Sequence, residues 1–448
     1  MLITDLTRGS SRKMLWMFSI PMLLSVAFQQ VYQIADSIIA GQFIGEAALA
    51  AVGASHPITM IFMAVAVGSN IGCAVVVSRL FGAKKYSALK TAICTIFCAC
   101  LAVSVVLTLV GIFGGSAMLR LIRTPADVFA DASLYLKIYI YGFLFLYLYN
   151  ICNGIFTSLG DSRTPLYFLI ASSLANIVMD VVFVVCFHMG VGGVAWATFL
   201  CQGVASVLAA WTLFRRLRGV PAPERHPLFS WRMLGRIARI AVPSILQQSF
   251  ISVGNLFIQS LVNSFGSAVV AGYSAAVKLN TFALTGFTTL GNGLSSFTAQ
   301  NIGAGRPERV KQGFRAGAGM TLCVAVPFIA AFVFAGPQMV RLFLSAPSAD
   351  ALAQGTLFLN IVAPFYVLIS LKLAADGVLR GAGCMGQFMT ATFTDLILRV
   401  ILAFLLAPRF GAAGIWMSWP LGWAVAAALS LGFYFTGGWR KRVGSIDK

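Results

Sequence analysis

Twelve apolar runs, each long enough to cross the hydrocarbon core of a bilayer as a helix, follow one another along the chain. Apolar residues make up 59% of the 448 residues and the mean hydropathy is +0.88. Charged residues make up 10%, against about 25% in a soluble domain. Since a helix satisfies its backbone hydrogen bonds internally, the runs predict an all-α integral membrane protein. The predicted spans are 14–39, 47–77, 88–113, 132–157, 164–187, 192–214, 238–263, 270–298, 313–336, 352–379, 386–407 and 412–435.

Basic residues are concentrated in alternate connections between these spans. Most of the 32 Lys and Arg lie before span one, after spans two and four, in the central loop 215–239, after spans eight and ten, and in the tail. The positive-inside rule therefore predicts a multi-pass protein of the cell inner (cytoplasmic) membrane with both termini in the cytoplasm. The net charge of +19 then reflects topology and attraction to anionic lipid, and we expect no nucleic-acid partner.

The two halves of the chain repeat each other at an offset of 221–223 residues. The matches include Pro21 with Pro243, Gly45 with Gly266, Asn153-Gly154 with Asp376-Gly377, and Gly190 with Gly411. Each half has six spans, so both enter the membrane from the same face. This predicts two six-helix bundles related by a pseudo-twofold axis around a central cavity, an arrangement of alternating-access transporters. The predicted domains are an N-lobe at 1–214, a cytoplasmic loop at 215–237, and a C-lobe with a basic tail at 238–448.

Two acids in the predicted spans of the first half have no Lys or Arg within one helical turn. Asp36 lies in span one, where an ionised carboxylate at the bilayer centre costs about 2.5–3.5 kcal/mol on insertion scales. Asp180 lies in span five, with Asn176 one turn before it on the same face. Two such carboxylates can share a proton or hold a monovalent cation such as Na⁺. The alternative for each acid is a position at the wet end of its span.

The second half carries its acids beside bases. Asp376 follows Lys372 by four residues and Asp395 precedes Arg399 by four, so each acid faces a base on its own helix. We interpret both as possible structural ion pairs. Lys278 in span eight has no such neighbour.

Several motifs resemble the multidrug and toxic compound extrusion (MATE) family over essentially the whole chain. They are P-M-L-L-S with a downstream A-D-S in span one, G-A-K-K after span two, N-G-I-F-T-S-L-G-D-S-R-T-P after span four, N-I-V-M-D in span five and G-G-V-A-W-A-T in span six. The resemblance implies a secondary active antiporter that exports amphipathic, often cationic compounds in exchange for H⁺ or Na⁺. It also implies a monomer that uses no cofactor beyond the coupling ion.

In detail the chain looks like the DinF-type branch of that family, whose cation site lies in the first lobe. The NorM-type branch relies on a Glu in span seven, where this chain has no acid. The resemblance implies a cation or proton site at Asp36, Asp180, Asn176 and Thr198, a polar shell of Gln29, Tyr135 and Asn153, and a hinge at Pro21. For Pro21, a place in the first turn of the helix is the alternative.

Other functions leave signatures that the chain lacks or carries weakly. A lipid-linked oligosaccharide flippase of the same superfamily would need several cations in its cavity, and the spans offer it Lys278. A metalloenzyme would need a ligand motif such as H-E-x-x-H, and an ATP-driven pump a Gly-Lys dipeptide in its phosphate loop; neither occurs. A non-transporting membrane receptor stays open as an alternative. We expect no enzyme activity and no metal beyond Na⁺ at Asp36 and Asp180.

Overall fold

α-Helices make up nearly all of the computed structural model, which describes residues 4–39, 46–122, 124–220, 227–344 and 348–443, with backbone alone at 34–39, 46–50 and 127. No β-strand occurs in those ranges. The helices are α1 (Ser11–Ile39), α2 (Glu46–Gly82), α3 (Tyr86–Leu121), α4 (Ala126–Ser158), α5 (Arg163–Val181), α6 (Gly190–Arg218), α7 (Trp231–Asn263), α8 (Ser267–Gly303), α9 (Pro307–Arg341), α10 (Ala349–Val362), α11 (Tyr366–Gly381), α12 (Met385–Phe410) and α13 (Ala412–Phe435).

These helices supply the twelve predicted membrane crossings. Within the described ranges, eleven helical segments are long and apolar enough to span a bilayer, with α10 and α11 together forming one of them. The twelfth crossing is α8, which is 37 residues long but richer in Ser, Thr, Asn and Gln. The all-α membrane fold predicted from the apolar runs is thus confirmed, and most helices extend beyond the predicted spans.

Three crossings are less regular than the sequence pattern indicates. The predicted span 352–379 corresponds to the apolar segment Ala349–Gly381, which a 3₁₀ turn at Ala363–Phe365 divides into α10 and α11. Pro364 lies in that turn and has no backbone N–H to continue the α-helical hydrogen bonds. The end of α5 passes into a π-helical turn at Val182–Cys186, and α9 is kinked at Ala335, two residues before Pro337.

The chain forms two compact units. Unit 1 contains Met1–Asp5 and Leu24–Ser249, and unit 2 contains Leu6–Leu23 and Phe250–Lys448. The unit boundary passes through α1 three residues after Pro21 and through α7 six residues after Pro243. Pro21 lies well inside α1, so the alternative of a first-turn proline is wrong. Its missing N–H removes one hydrogen bond at the place where α1 leaves unit 2.

Glycines bring equivalent helices together within each unit. In unit 1, α4 packs against α2, α3 and α6, and a Cβ on Gly154 would lie 2.2 Å from Asn70 Oδ1 of α2. In unit 2, α11 packs against α8, and a Cβ on Gly377 would lie 2.6 Å from the carbonyl oxygen of Gly291. The backbone contact excludes a larger side chain at Gly377, and a larger side chain at Gly154 would displace the Asn70 amide. The residues just before these glycines, Asn153 and Asp376, are thereby held at equivalent places.

Candidate functional site

A polar cavity of about 290 Å³ lies inside unit 1. Helices α1, α2, α4, α5 and α6 all contribute to its wall. The lining residues are Ser25, Gln29, Tyr32, Met63, Leu146, Tyr149, Asn150, Asn153, Pro165, Leu169, Ser172, Ser173, Asn176, Thr198, Cys201 and Gln202. Four residues predicted from the sequence therefore share one cavity: Gln29, Asn153, Asn176 and Thr198.

The cavity wall is polar without being charged. Hydroxyl, amide and thiol groups line it beside a few apolar side chains, and its lining includes no Lys, Arg, Asp or Glu. The Tyr32 hydroxyl donates a short hydrogen bond to Asn176 Oδ1 and so fixes the orientation of that amide. Among the described residues, the buried atoms Asn176 Nδ2 and Asn153 Oδ1 have no hydrogen-bond partner. A donor and an acceptor are thus left for a bound solute or ion.

Asp180 lies one helical turn beyond Asn176 and is completely buried. The alternative in which Asp180 faces water at the end of its span is therefore wrong. Cys201, a residue of the cavity wall on α6, lies close enough to Asp180 for electrostatic interaction. A carboxylate removed from water is stable only when it is protonated, paired with a cation or extensively hydrogen-bonded. Asp180 thus lies close to the cavity wall, beside Asn176 and Cys201.

Asp36 lies on α1, four residues after Tyr32. The Asp36 side chain lies outside the described residues, and its distance to Asp180 stays a prediction.

Tyr135 occupies a neighbouring pocket rather than the main cavity. This pocket has a volume of about 30 Å³ and is bounded by α4 and α6. Leu146, Thr198 and Gln202 line both spaces, so the two are separated by single side chains. Tyr135 therefore shares this pocket with Thr198, whereas Gln29 and Asn153 line the main cavity.

In unit 2, Asp376 is buried among direct partners. Lys372 Nζ donates to Asp376 Oδ2 over 2.8 Å, and Ser430 Oγ donates to Asp376 Oδ1 over 2.6 Å. One turn further along α11, Arg380 Nη2 donates to Asn292 Oδ1 over 2.5 Å. Both carboxylate oxygens of Asp376 are thus occupied, and a buried cation neutralises its charge.

The second acid of unit 2 is also paired with a base on its own helix. Arg399 Nη2 lies 3.0 Å from Asp395 Oδ2, and both side chains are buried. The Arg399 guanidinium also lies 4.4 Å from the ring centroid of Trp419, a favourable cation–π distance. Lys278, in contrast, is exposed, and its ammonium lies 6.0 Å from the Phe343 ring centroid. Across the described ranges, no group of three or more His, Cys, Asp or Glu could hold a metal ion.

Several cavity residues were not among the sequence predictions. They are Ser25, Tyr32, Asn150, Ser172, Ser173 and Gln202. Helical spacing could have found most of them, since each of the predicted residues has a polar neighbour three or four positions away. Tyr32 follows Gln29 by three residues, Asn150 precedes Asn153 by three, and Gln202 follows Thr198 by four.

A protein-family model described as MatE matches the chain twice, at residues 21–182 and 243–405. The two matches begin at Pro21 and Pro243 and so reproduce the internal repeat found in the sequence. Together they cover more than half of the chain.

Curated relatives and solved structures agree with this match. YpnP of Bacillus subtilis (strain 168), described as a probable multidrug resistance protein, is 30% identical over 437 residues and covers 97% of each chain. YoeA of the same organism, with the same description, is 26% identical over 444 residues, covering 96% of this chain and 95% of the relative. A crystal structure of MATE in the bent conformation superposes with a TM-score of 0.90 at 23% identity, covering 98% of both chains. At that identity the likeness shows the twelve-helix, two-bundle fold.

Proposed function

The chain belongs to the MatE family, whose members are membrane transporters and not enzymes, and from this premise we propose that it is a secondary active antiporter. We propose that it exports amphipathic or cationic compounds by alternating access, in exchange for H⁺ or Na⁺. The names of its Bacillus relatives as probable multidrug resistance proteins support this substrate class.

The observation that carries the proposal is the uncharged polar cavity of unit 1. Gln29, Asn153, Asn176 and Thr198 come from four different helices and line it together. A wall of neutral donors, acceptors and aromatic rings accepts many amphipathic solutes, because none of them must match a fixed charge. The buried acid Asp180 lies next to this wall, where its carboxylate can interact electrostatically with a cationic solute.

Coupling to the cation is assigned to Asp36 and Asp180, with Asn176 and Thr198 as neutral oxygen ligands. A cation or proton bound there neutralises the two carboxylates and so favours one conformation over the other. A cationic solute in the adjacent cavity favours the ionised acids instead. The two ligands therefore oppose each other, which is the differential affinity that exchange requires.

Pro21 is proposed as the point where α1 changes shape during exchange. The unit boundary follows it by three residues, and its missing N–H weakens the helix there. We assign both termini to the cytoplasm, since the basic loops lie at that end of the helices. The DinF-type branch is proposed on the position of the first-lobe acids.

Export from drug-sensitive cells tests the cation site. We expect Asp36→Asn and Asp180→Asn each to abolish resistance to a cationic dye while leaving expression unchanged. Asp131→Asn is the matched control, because Asp131 is an exposed acid of the same unit. Export that survives in both site variants would refute the assignment of the coupling site.

Reconstituted vesicles identify the coupling ion. Purified protein is reconstituted into vesicles, and a pH gradient or a Na⁺ gradient is imposed separately across the vesicle membrane. Dye accumulation in the vesicles is then measured. We expect one gradient to drive uptake in wild type and neither to drive it in Asp180→Asn. Uptake driven by neither gradient in wild type would contradict antiport.

A lipid-linked oligosaccharide flippase is not favoured by the cavity. Such a substrate carries a pyrophosphate, which needs several cations in the wall, and this wall has none. Lys278, the cation noted in the sequence, belongs to unit 2 and lies over Phe343.

A further inference from the structure

A groove in unit 2 lies between the first turns of α1 and the helix α9. Its volume is about 460 Å³, and it is open along one side. From α1 and the residue before it come Ser10, Ser11, Arg12 and Trp16. The opposite wall is a stripe of α9 residues. None of the residues that line the groove also lines the cavity or takes part in the ion pairs described above.

The chain before α1 is clamped so that this groove has a fixed width. Arg306 Nη1 donates to the carbonyl oxygen of Thr7 and Arg309 Nη1 to that of Gly9, each over 2.6 Å. The Ser11 hydroxyl then donates to Gln312 Oε1 over 3.1 Å, which joins the start of α1 directly to α9. Because backbone groups are held on both sides of the turn, the groove is part of the folded structure of unit 2.

The α9 wall changes from polar to apolar along its length. Its residues recur at helical spacing on one face: Gln312, Arg315, Ala316, Gly319, Met320 and Cys323. At a rise of about 1.5 Å per residue this stripe is roughly 16 Å long. The polar and basic members lie at the end near the clamped segment, and the small and apolar members lie further along the helix. This gradient matches a headgroup followed by a hydrocarbon chain.

The polar end of the groove is positively charged. Arg12 and Arg315 are exposed, and neither has a carboxylate partner among the residues that the structure describes. The groove lining contains no Asp or Glu to neutralise them. Trp16 lies one turn after Arg12 on α1, and Trp is enriched at the interface between headgroups and hydrocarbon. Basic pockets between helices at the cytoplasmic interface bind anionic headgroups.

We propose that this groove binds one anionic phospholipid from the surrounding bilayer. The phosphate lies between Arg12 and Arg315, and the glycerol region packs beside Trp16. One acyl chain follows the stripe from Ala316 to Cys323. Gly319 leaves room for the chain, because a Cβ built there has no atom within 4 Å. The inference is independent of drug export and of the coupling ion.

Two variants remove different parts of the proposed site. Arg12→Gln with Arg315→Gln removes the phosphate ligands, and Gly319→Leu fills the apolar part while keeping both charges. Gly319→Leu has space for its side chain and a higher helix propensity, so we expect it to fold. The matched control is Arg215→Gln with Arg218→Gln, two exposed arginines at the basic end of α6 that line neither the groove nor the cavity.

The measurement is retention of phosphatidylglycerol by the purified full-length protein in native mass spectrometry. The probe is detergent micelles doped with equal amounts of phosphatidylglycerol and phosphatidylcholine. We expect wild type and the α6 control to retain one phosphatidylglycerol, and both groove variants to bind it roughly tenfold or more weakly.

Thermal unfolding with and without each probe distinguishes a lipid from a free anion. Phosphatidylglycerol should raise the midpoint of wild type and the α6 control, and glycerol phosphate at the same concentration should not. Equal stabilisation of all variants would overturn the proposal, since it would reflect general attraction to the basic surface. Stabilisation by glycerol phosphate that Gly319→Leu leaves unchanged would also overturn it, in favour of a phosphate site without an acyl groove.

Discussion

Equivalent faces of two helices carry neutral side chains in unit 1 and charged side chains in unit 2. The register is set by the loop glycines Gly160 and Gly383, which have φ of 79° and 64° and follow α4 and α11. The equivalent sets are Tyr149, Asn153 and Thr157 on α4, and Lys372, Asp376 and Arg380 on α11. In unit 1, two of the three line an open cavity. In unit 2, all three are buried and hold one another or a neighbouring amide.

The helices that follow, α5 in unit 1 and α12 in unit 2, also carry different charges at equivalent positions. The equivalent sets are Ser172, Asn176 and Asp180 on α5, and Asp395, Arg399 and Ala403 on α12. Position for position, the amide of Asn176 stands where unit 2 has the guanidinium of Arg399. The cation of unit 2 is paired with its acid, and the proposed function assigns proton or cation exchange to the acid of unit 1. Under the proposed function, the duplicated fold places ion exchange in unit 1 and buried ion pairs in unit 2.

The largest effect is expected for Asp180, and it distinguishes the function of this acid from that of the acids in unit 2. Asp180→Asn should reduce gradient-driven drug uptake into vesicles to background, because the amide can neither release a proton nor balance a cation. Its thermal unfolding midpoint should not fall, since a neutral amide is easier to bury than a carboxylate. A variant that unfolds earlier and still transports would assign Asp180 a structural role, like that of the acids in unit 2.

Asp376→Ala should act on stability instead. Removing this acid leaves Lys372 buried without its counter-ion, which costs about 3–5 kcal/mol for a buried pair. Thermal unfolding in detergent measures the loss. Lys372→Met combined with Asp376→Leu should recover a large part of it, because both charges are then gone. Equal loss in the single and double variants would show that the ion pair is not what stabilises this helix.

Ser430→Ala sharpens the same comparison. Ser430 donates to Asp376 Oδ1 over 2.6 Å, and a hydrogen bond to a charged group contributes about 1.5–3 kcal/mol. We expect a lower unfolding midpoint and unchanged transport per folded molecule. Loss of transport in a variant whose unfolding midpoint is unchanged would instead indicate that Asp376 takes part in ion exchange.

Tyr32→Phe should have the smallest effect, confined to unit 1. It removes the hydrogen bond that orients Asn176, a change of about 0.5–1.5 kcal/mol and so roughly twofold to tenfold in apparent drug affinity. Equilibrium binding of a fluorescent cation measures it, with Tyr167→Phe, an exposed tyrosine of α5, as the control. An unchanged affinity would mean that the orientation of Asn176 does not matter for the cavity.

The sequence predicted the parts of the fold that depend on local pattern. Apolar length gave the crossings, and matches such as Pro21 with Pro243 gave the repeat. The 3₁₀ turn at Ala363–Phe365 was signalled by Pro364 alone, and proline is also tolerated within membrane helices, as at Pro420 of α13. The assignment of Leu6–Leu23 to unit 2 rests on long-range contacts that no local pattern contains.

The site was predictable where chemistry and helix spacing agree. The i,i+4 pairs of α11 and α12 could be read directly, because helix geometry places such residues together. The convergence of Gln29, Asn153, Asn176 and Thr198 came from the family resemblance, since it depends on how four helices pack. Ser430 as a partner of Asp376 lies 54 residues away along the chain, and only the packed structure brings the two together.

Infrared difference spectroscopy of the carboxyl groups tests the division between the two units most directly. The purified protein is switched between alkaline and acidic pH, or between Na⁺-free and Na⁺-containing buffer, and the carboxyl bands are compared with those of Asp180→Asn and Asp376→Asn. We predict that the signal changes in wild type, is diminished in Asp180→Asn, and persists in Asp376→Asn. A signal that persists in Asp180→Asn and disappears in Asp376→Asn would contradict the account, because the exchanging acid would then lie in unit 2.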